Sequence, residues 1–234
     1  MRIAIMQPYF FPYIGYFQLI NAVDEFVIYD NIKYTKKGWI NRNKIFVNGK
    51  DSYITLPLRK DSDYLNVRDR YLAEIWHLKK KKMLNRLIES YRKSPNFDFV
   101  FPIIKKGIMF EEYNLFNFLL NCLKLTKDYL EIQTPFLIAS TIPINHELKA
   151  EKKVIEICKA RNANIYLNSS GGIKLYEKDN FKNEGIDLLF HKPNYITYKQ
   201  FNNSFVPSLS IIDVMMFNSK QKINELLKDY ELIS

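Results

Sequence analysis

The stretch that decides the fold class runs from Met1 to Asp30 and reads M-R-I-A-I-M-Q-P-Y-F-F-P-Y-I-G-Y-F-Q-L-I-N-A-V-D-E-F-V-I-Y-D. It holds a short apolar run up to Met6, an aromatic turn, a helical pattern from Gly15 to Ala22 and a second β-rich run at residues 26–29. A strand, a helix and a strand in this order predict a βαβ unit with parallel strands. The fold class is therefore α/β, and a site is expected where the strands end.

The rest of the chain extends this pattern. Asn48-Gly49 joins two strand-like runs, residues 44–47 and 53–56, and is a strong hairpin signal. A long helix is expected to end before Ser94-Pro95, and further helices over about 106–127, 147–161, 173–178, 208–217 and 220–230, with a buried strand at 165–167. We expect one α/β domain over residues 1–234, with a mainly parallel, Rossmann-like sheet flanked by helices and a helical insertion or subdomain over about 70–161.

The composition is typical of a folded protein with an aromatic core. The chain has 17 Phe and 16 Tyr, so buried phenolic hydroxyls will need hydrogen-bond partners. Cys122 and Cys158 have neither a C-x-x-C nor a zinc spacing and are predicted to be reduced core thiols. No segment reaches the ~18 apolar residues of a membrane helix, and the N-terminal apolar run is too short for a signal peptide. We expect a cytoplasmic protein without a membrane span.

The net charge of +10 raises the question of nucleic-acid binding, because Lys and Arg bind phosphates. The densest basic run, residues 79–82, stands among apolar residues at helical spacing and is interpreted as the solvated side of an amphipathic helix. No recognition motif accompanies the charge. Nucleic acid is therefore not expected as a partner.

The aromatic turn after the first strand is the first candidate site. Prolines and a glycine fix a turn whose backbone can approach a ligand closely. A rigid turn whose aromatic rings close one end of the core is the alternative. The candidate substrate-binding residues here are Gln7, Pro8, Tyr9 and Gly15, and the candidate catalytic residues are Tyr13 and Tyr16.

Two more segments are candidate binding sites. Arg42, in the basic segment 34–44, can hold a diphosphate through two parallel hydrogen bonds, unless the segment is only a solvated loop. The turn at 169–172 follows a strand, so its N–H groups and hydroxyls can form an anion or carbonyl-oxygen site, although an ordinary turn with a helix cap fits equally. The candidates are Lys36, Trp39, Asn41, Arg42, Asn43, Ser169, Ser170, Gly171, Gly172 and Tyr176.

The remaining polar candidates have simpler interpretations. Ser210 and Asp213 match a capping box better than a catalytic pair. The three histidines match no metal spacing, so no metal site is expected. His77 remains a candidate general base, with a structural or surface role as the alternative.

These segments resemble the WbqC-like family of bacterial surface-polysaccharide gene clusters. The resemblance covers nearly the whole chain and departs from the family pattern at Met83, where a histidine often stands. It rests on Met6-Gln7-Pro8, Gly15-Tyr16, Asp24, the W-I-N-R-N run at 39–43, the S-S-G-G turn at 169–172, Tyr176 and the S-I-I-D run at 210–213. The family's setting implies an enzyme that forms an amide on a nucleotide-linked (amino)deoxysugar by N-acyl or aminoacyl transfer. It implies no tightly bound cofactor and a donor such as acyl-CoA or acyl carrier protein.

Two other functions are left open. The turn Y-I-G-Y at 13–16 is similar in placement to the H-I-G-H turn of the nucleotidyltransferase and class I synthetase superfamily, which implies nucleotidyl transfer or adenylate formation. A non-catalytic protein that binds a glycan intermediate or scaffolds neighbouring enzymes is the third hypothesis. The oligomeric state is open, a homodimer included. Under any of these hypotheses Gln7, Tyr13 and the turn at 169–172 are predicted to meet at one carboxyl edge of the sheet.

Overall fold

The structure is a computed structural model and describes residues 1–202 and 204–234. Its strands are β1 (Arg2–Met6), β2 (Glu25–Ile28), β3 (Arg42–Val47), β4 (Lys50–Thr55), β5 (Phe136–Ile138), β6 (Ile165–Ser169), β7 (Asp187–Pro193) and β8 (Tyr230–Ile233). Its helices are α1 (Ile14–Asn21), α2 (Trp76–Tyr91), α3 (Phe97–Ile108), α4 (Leu115–Tyr129), α5 (Ala150–Ala160), α6 (Lys178–Asn183), α7 (Ile211–Phe217) and α8 (Lys220–Leu226). Short 3-10 turns lie at Val67–Asp69, Ala139–Thr141 and Ser170–Leu175.

The main sheet has six strands in the order β5-β2-β1-β6-β7-β8. The first five are parallel to their neighbours, and β8 pairs antiparallel with β7. The predicted βαβ start and the mainly parallel sheet are confirmed. From β1 the chain builds β2 and then β5 on one side, and returns to place β6 on the other. The crevice outside the carboxyl ends of β1 and β6 is therefore a topological switch point, where open α/β sheets bind ligands.

Both faces of the sheet are buried, because neighbouring side chains along a strand point to opposite faces. Ala4, Phe26 and Leu167 face the larger core, which includes residues of α1 to α4, α7 and α8. Ile3 and Tyr166 face the smaller core, to which α5 and α6 contribute. The predicted flanking of the sheet by helices is confirmed.

The β3-β4 hairpin forms where Asn48-Gly49 predicted it. Both turn residues have positive φ, 49° and 81°, as a tight two-residue hairpin turn requires. The strand β3 begins at Arg42, two residues before the expected start. Arg42 and Asn43 therefore belong to a strand and not to a loop.

The single helix expected over about 106–127 is wrong, because two helices, α3 and α4, occupy this region. Asn114 starts α4 by accepting the N–H of Asn117 at 3.1 Å, which is a standard N-cap. Apolar residues continue at helical spacing on both sides of the break, so periodicity alone joined the two helices. The domain division stays a prediction. The range 70–161 holds α2 to α5 and also β5, which pairs with β2 at the sheet edge.

Two other expectations for the C-terminal half are wrong. The helix expected over 173–178 is absent there, because residues 173–177 form the end of a 3-10 turn and an extended link, and α6 starts only at Lys178. The last helix ends at Leu226, and the chain then forms β8, whose Ile233 pairs with Phe190. A four-residue edge strand carries too few residues for its alternation to stand out in the sequence. Among the described residues, no helix has the length and hydrophobicity that crossing a membrane requires.

Candidate functional site

A cleft of about 450 Å³ opens at the carboxyl edge of the sheet, at the switch point between β1 and β6. Parallel pairing of Ile3 with Tyr166 aligns the ends of these two strands. The prediction that Gln7, Tyr13 and the turn at 169–172 meet at one edge is thereby confirmed. The cleft is lined by Ile5, Met6, Gln7, Tyr9, Tyr13, Gly15, Tyr16, Leu19, Tyr29, Ile32, Trp39, Asn168, Ser169, Gly171, Gly172, Leu175 and Tyr176.

Tyr16 holds the N-terminal turn together. It is 2% exposed, and its hydroxyl donates to the backbone carbonyl of Gln7 at 2.9 Å. Burial raises the pKa of this phenol well above its ordinary value, so it stays protonated. The Gln7 side chain in turn accepts the hydroxyl of Tyr9 at 3.5 Å. The geometry makes Tyr16 a positioning residue for Gln7.

Tyr13 is the exposed phenol of the cleft. It precedes α1, its side chain is 38% exposed, and burial of the remainder raises its pKa. A Cβ on Gly15 would lie 2.5 Å from the hydroxyl oxygen of Tyr13. Gly15 is not among the glycines with positive φ, so the space it leaves for the Tyr13 ring is the reason for glycine here, and not backbone strain.

Asn168, the penultimate residue of β6, is a site residue that the sequence analysis did not select. It is 4% exposed, and its Oδ1 accepts the N–H of Ser169 at 2.9 Å. Its Nδ2 packs against Gly172 so closely that any Cβ there would collide with the amide. Among the described residues this Nδ2 has no hydrogen-bond acceptor, and the side chain lines the cleft. A polar residue at the end of an otherwise apolar strand was the signal that could have identified it.

Tyr29 and Tyr176 also line the cleft, and the ring of a third phenol, Tyr166, packs against Tyr176 with ring centres 5.7 Å apart. Tyr166 is fully buried, and its hydroxyl donates to that of Tyr176 at 3.5 Å. Burial raises the pKa of Tyr29 to about 12, with the negative charge on Asp30 contributing. These phenols remain protonated at neutral pH and offer hydrogen bonds, not negative charge.

The profile of the WbqC-like protein family matches residues 7–225. The chain belongs to this family. A relative in Mycobacterium tuberculosis, the uncharacterized protein Rv1507c, is 29% identical over 226 residues, which cover 93% of each chain. No solved structure matches the chain. The family match over residues 7–225 includes all the described lining residues of the cleft in this WbqC-like protein except Ile5 and Met6.

The basic segment contributes Trp39 to the cleft of the WbqC-like protein, while its other predicted binding residues hold the loop. The guanidinium of Arg42 lies 4.6 Å from the centre of the Tyr53 ring. Its Nε donates to the carbonyl of Gly38 at 3.2 Å, and one Nη donates to the carbonyl of Lys37. Arg42 thereby ties the loop that carries Trp39 to β3.

The asparagines of this segment are also engaged inside the protein. Asn41 donates to the carbonyl of Leu56 at 2.9 Å and accepts the hydroxyl of Tyr34 at 2.8 Å. The buried amide of Asn43 donates to the carbonyls of Phe10 and Phe11 at 3.1 and 2.8 Å. Asn43 therefore holds the backbone of the aromatic turn in place.

Four other predicted site residues do not line the cleft. Lys36 is exposed and forms an ion pair with Asp63 at 2.7 Å. His77 is exposed at the start of α2, with Nδ1 against the carbonyl of Glu74. Pro8 and Ser170 lie beside lining residues without lining the cleft themselves.

Ser210 and Asp213 have different tasks. Ser210 caps α7 by accepting the N–H of Ile212 at 3.2 Å, which confirms the N-cap. The reciprocal half of the capping box is wrong, because the fully buried carboxylate of Asp213 accepts three side-chain donors instead. These are the hydroxyls of Tyr91 and Tyr198 and the amide of Gln200, at 2.9, 2.7 and 2.6 Å. Asp213 thus joins α2, α7 and the segment before α7.

Proposed function

We propose that this WbqC-like protein is an enzyme of cell-surface polysaccharide biosynthesis that acts in the cytoplasm on a nucleotide-linked (amino)deoxysugar. It transfers an acyl or aminoacyl group to the sugar amine and forms an amide. The observation that carries the proposal is the character of the cleft. All of its described lining residues are neutral. Many of them are aromatic, and most of the polar groups are phenol hydroxyls and side-chain amides. Aromatic faces that pack on a sugar ring and amides that bind hydroxyls are what a neutral sugar requires.

We assign the sugar to the space between Trp39, Tyr13 and Tyr176. Trp39 is 41% exposed and stacks on Tyr53 with ring centres 6.3 Å apart, which leaves a fixed indole surface at the rim. Gln7 and Asn168 line the same cleft and supply amide groups. The cleft lies at the switch point of the sheet, where Rossmann-like folds bind their ligands, and this position supports the proposal that the sheet is Rossmann-like.

The donor would enter beside the sugar. A second pocket of about 290 Å³ shares Tyr9, Tyr13 and Trp39 with the cleft and is mostly apolar, with Pro12 on its wall. We assign this pocket to the acyl group of a thioester donor, acyl-CoA or acyl carrier protein. No tightly bound cofactor is part of the proposal.

The transfer would run by direct attack. The amine nitrogen attacks the thioester carbonyl, the C–N bond forms, the C–S bond breaks, and the proton leaves nitrogen for the departing sulfur. A cleft whose described lining has no charged side chains disfavours an ammonium ion, so it lowers the pKa of the bound amine and favours the neutral, nucleophilic form. The Asn168 amide and the Ser169 hydroxyl are the donors we assign to the developing oxyanion.

One alternative is favoured by the same observation. A neutral aromatic cleft also suits a protein that binds a glycan intermediate without chemistry. Nucleotidyl transfer has no such support, because the hydroxyl of Tyr16 in the Y-I-G-Y turn is committed to the carbonyl of Gln7.

Mixing the full-length protein with UDP-, dTDP- and GDP-linked amino sugars and acetyl-CoA tests the proposal. We expect one of the sugars to gain the mass of an acyl group in mass spectrometry, and Asn168→Ala to slow this reaction by about tenfold to a thousandfold. Lys81→Ala, a change on exposed α2 surface, is the control. Binding of a sugar nucleotide without product, with acyl carrier protein donors tried as well, would leave the non-catalytic alternative.

A further inference from the structure

A second chamber of about 680 Å³ adjoins the cleft at the carboxyl edge of the sheet. Tyr29, Ile32, Leu175 and Tyr176 line both, so the two spaces share a wall. The chamber is formed by the residues after β2 and by the start of α5. In contrast to the cleft it has charged walls. Its cationic side chains are Lys33, Lys149 and Lys153, which outnumber its acidic ones, Glu147 and Glu151, and we call it the basic chamber.

Lys153 is the buried cation of the basic chamber. It is 4% exposed, and its Nζ lies 5.4 Å from the centre of the Tyr29 ring. Nζ donates to the carbonyl of His146 at 3.2 Å. An ammonium group has three donors, so two are free for another acceptor. Among the described residues no carboxylate oxygen lies within 4.0 Å of this Nζ.

Of the nearby carboxylates, those of Asp30 and Glu151 are engaged elsewhere, while Glu147 is an exposed residue. Asp30 accepts the N–H of Ser140 at 2.9 Å, and its other oxygen faces Arg68 at 3.9 Å. Glu151 accepts the N–H of Glu177 and the amide of Asn180, at 2.7 and 2.6 Å. Burial therefore dominates at Lys153 and lowers its pKa, against the charge of Asp30. A buried ammonium without a paired anion is costly in the absence of a ligand.

The helix α5 adds to the positive electrostatic potential that Lys153 creates in the chamber. It is 11 residues long and starts at the chamber, its first turn carries Glu151, and no side chain of the described residues caps its first N–H groups. Free N–H groups at a helix start attract anions, and Lys153 stands in this first turn. The chamber thus joins a buried cation, free backbone donors and a volume that suits a ligand.

We propose that the basic chamber binds the diphosphate of a nucleoside diphosphate, held by Lys153 and the start of α5. The sugar then passes Tyr29 and Tyr176 into the neutral cleft. This inference rests on the proposed function for the identity of the sugar. It assigns diphosphate binding to Lys153 instead of to the basic segment 34–44, where the charged groups of Arg42 and Lys36 are already engaged.

The test is calorimetric titration of the full-length protein with inorganic pyrophosphate and with UDP, dTDP and GDP. We expect at least one nucleoside diphosphate to bind, and Lys153→Met to weaken it about tenfold to a hundredfold, because a hydrogen-bonded charge pair is lost. Lys152→Met is the matched control, an exposed lysine on the same helix that does not line the chamber. It should bind within about twofold of the unchanged protein.

The outcomes separate the two proposals. Nucleoside diphosphates that fail to bind, or that bind Lys153→Met unchanged, overturn the basic chamber even if sugar acylation is observed. Binding that depends on Lys153 without any acylated product supports the chamber and counts against the enzyme. Should Lys153→Met not fold, the double change Lys33→Ala with Lys149→Ala, at the exposed rim, must reduce both the affinity and its dependence on salt.

Discussion

Side chains at the cleft divide into those that face a ligand and those that hold the others in place. Tyr16 and Asn43 belong to the second group, because their polar atoms are bound to backbone carbonyls of the aromatic turn. Tyr13 and Asn168 belong to the first, since the Tyr13 ring is exposed and the Asn168 Nδ2 has no acceptor among the described residues. The chemical type of these residues is similar, and their different roles follow from their surroundings.

The two tyrosines of the turn should respond differently to loss of the hydroxyl. Tyr16→Phe removes a buried hydrogen bond to Gln7, so we expect the free energy of unfolding to fall by about 1 kcal/mol. Tyr13→Phe should leave the free energy of unfolding nearly unchanged and weaken ligand binding. Urea unfolding and ligand titration of both variants provide the measurement. A Tyr16→Phe protein of full stability that has lost turnover would make this hydroxyl part of the chemistry.

Gly172 and Gly171 offer a matched pair for the role of Asn168. A Cβ at Gly172 collides with the Asn168 amide, whereas a Cβ at Gly171 meets only Ser169 Oγ at 3.9 Å. We expect Gly172→Ala to displace the amide, to weaken sugar-nucleotide binding about tenfold, and to cost about 1–3 kcal/mol of stability. Gly171→Ala should change neither by much. Equal affinities in the two variants would show that the Asn168 amide does not contact the ligand.

At the scale of elements, the strand β3 positions the loop before it. Arg42 reaches back to the carbonyls of Lys37 and Gly38 and so holds Trp39 at the rim of the cleft. This is a different use of the arginine from direct binding of phosphate. The function of the segment is thereby tied to the hairpin that Asn48-Gly49 nucleates.

Arg42→Ala should therefore free the loop. We expect acrylamide to quench the Trp39 fluorescence more strongly in a Trp76→Phe background, because the indole loses its fixed place on Tyr53. Pyrophosphate affinity should stay unchanged, while sugar-nucleotide affinity falls. If pyrophosphate binding is lost instead, Arg42 holds the diphosphate directly.

At the scale of the whole molecule, stability should depend on His191 as the pH falls. His191 in β7 is 1% exposed, packs 4.5 Å from the Tyr230 ring, and neither ring nitrogen has a partner among the described residues. Burial lowers its pKa from 6.5 to about 4. As the pH falls, the unfolded chain therefore binds a proton at a higher pH than the folded chain. The stability that neutral His191 contributes is present above pH 6.5 and is lost as the pH falls towards about 4.

The expected loss is at most about 3 kcal/mol, from a pKa difference of this size. His191→Phe keeps the contact with Tyr230 and removes the titration. Urea unfolding near neutral pH and at about pH 4.5 should show a smaller drop for the variant than for the unchanged protein. Equal drops would mean that His191 is protonated without cost in the folded state.

The sequence by itself determined the parallel start of the sheet, the hairpin, the N-cap of α7 and the family. These signals are local, because they depend on the periodicity of a segment, on a turn dipeptide or on residues within one helical turn. The convergence of Gln7, Tyr13 and the turn at 169–172 was also predictable, since parallel strands end at one edge.

Only the tertiary structure decided which polar groups are free. Arg42 reads as a phosphate ligand in the sequence, and the fold brings the carbonyls of Lys37 and Gly38 within its reach. In the sequence Lys153 is one of many lysines in a predicted helix. The fold buries it, and the carboxylates of Asp30 and Glu151 are already engaged with other groups. The physical reason is that a hydrogen-bonding group serves a ligand only if no nearer partner takes it, and in these cases long-range packing decides whether such a partner is near.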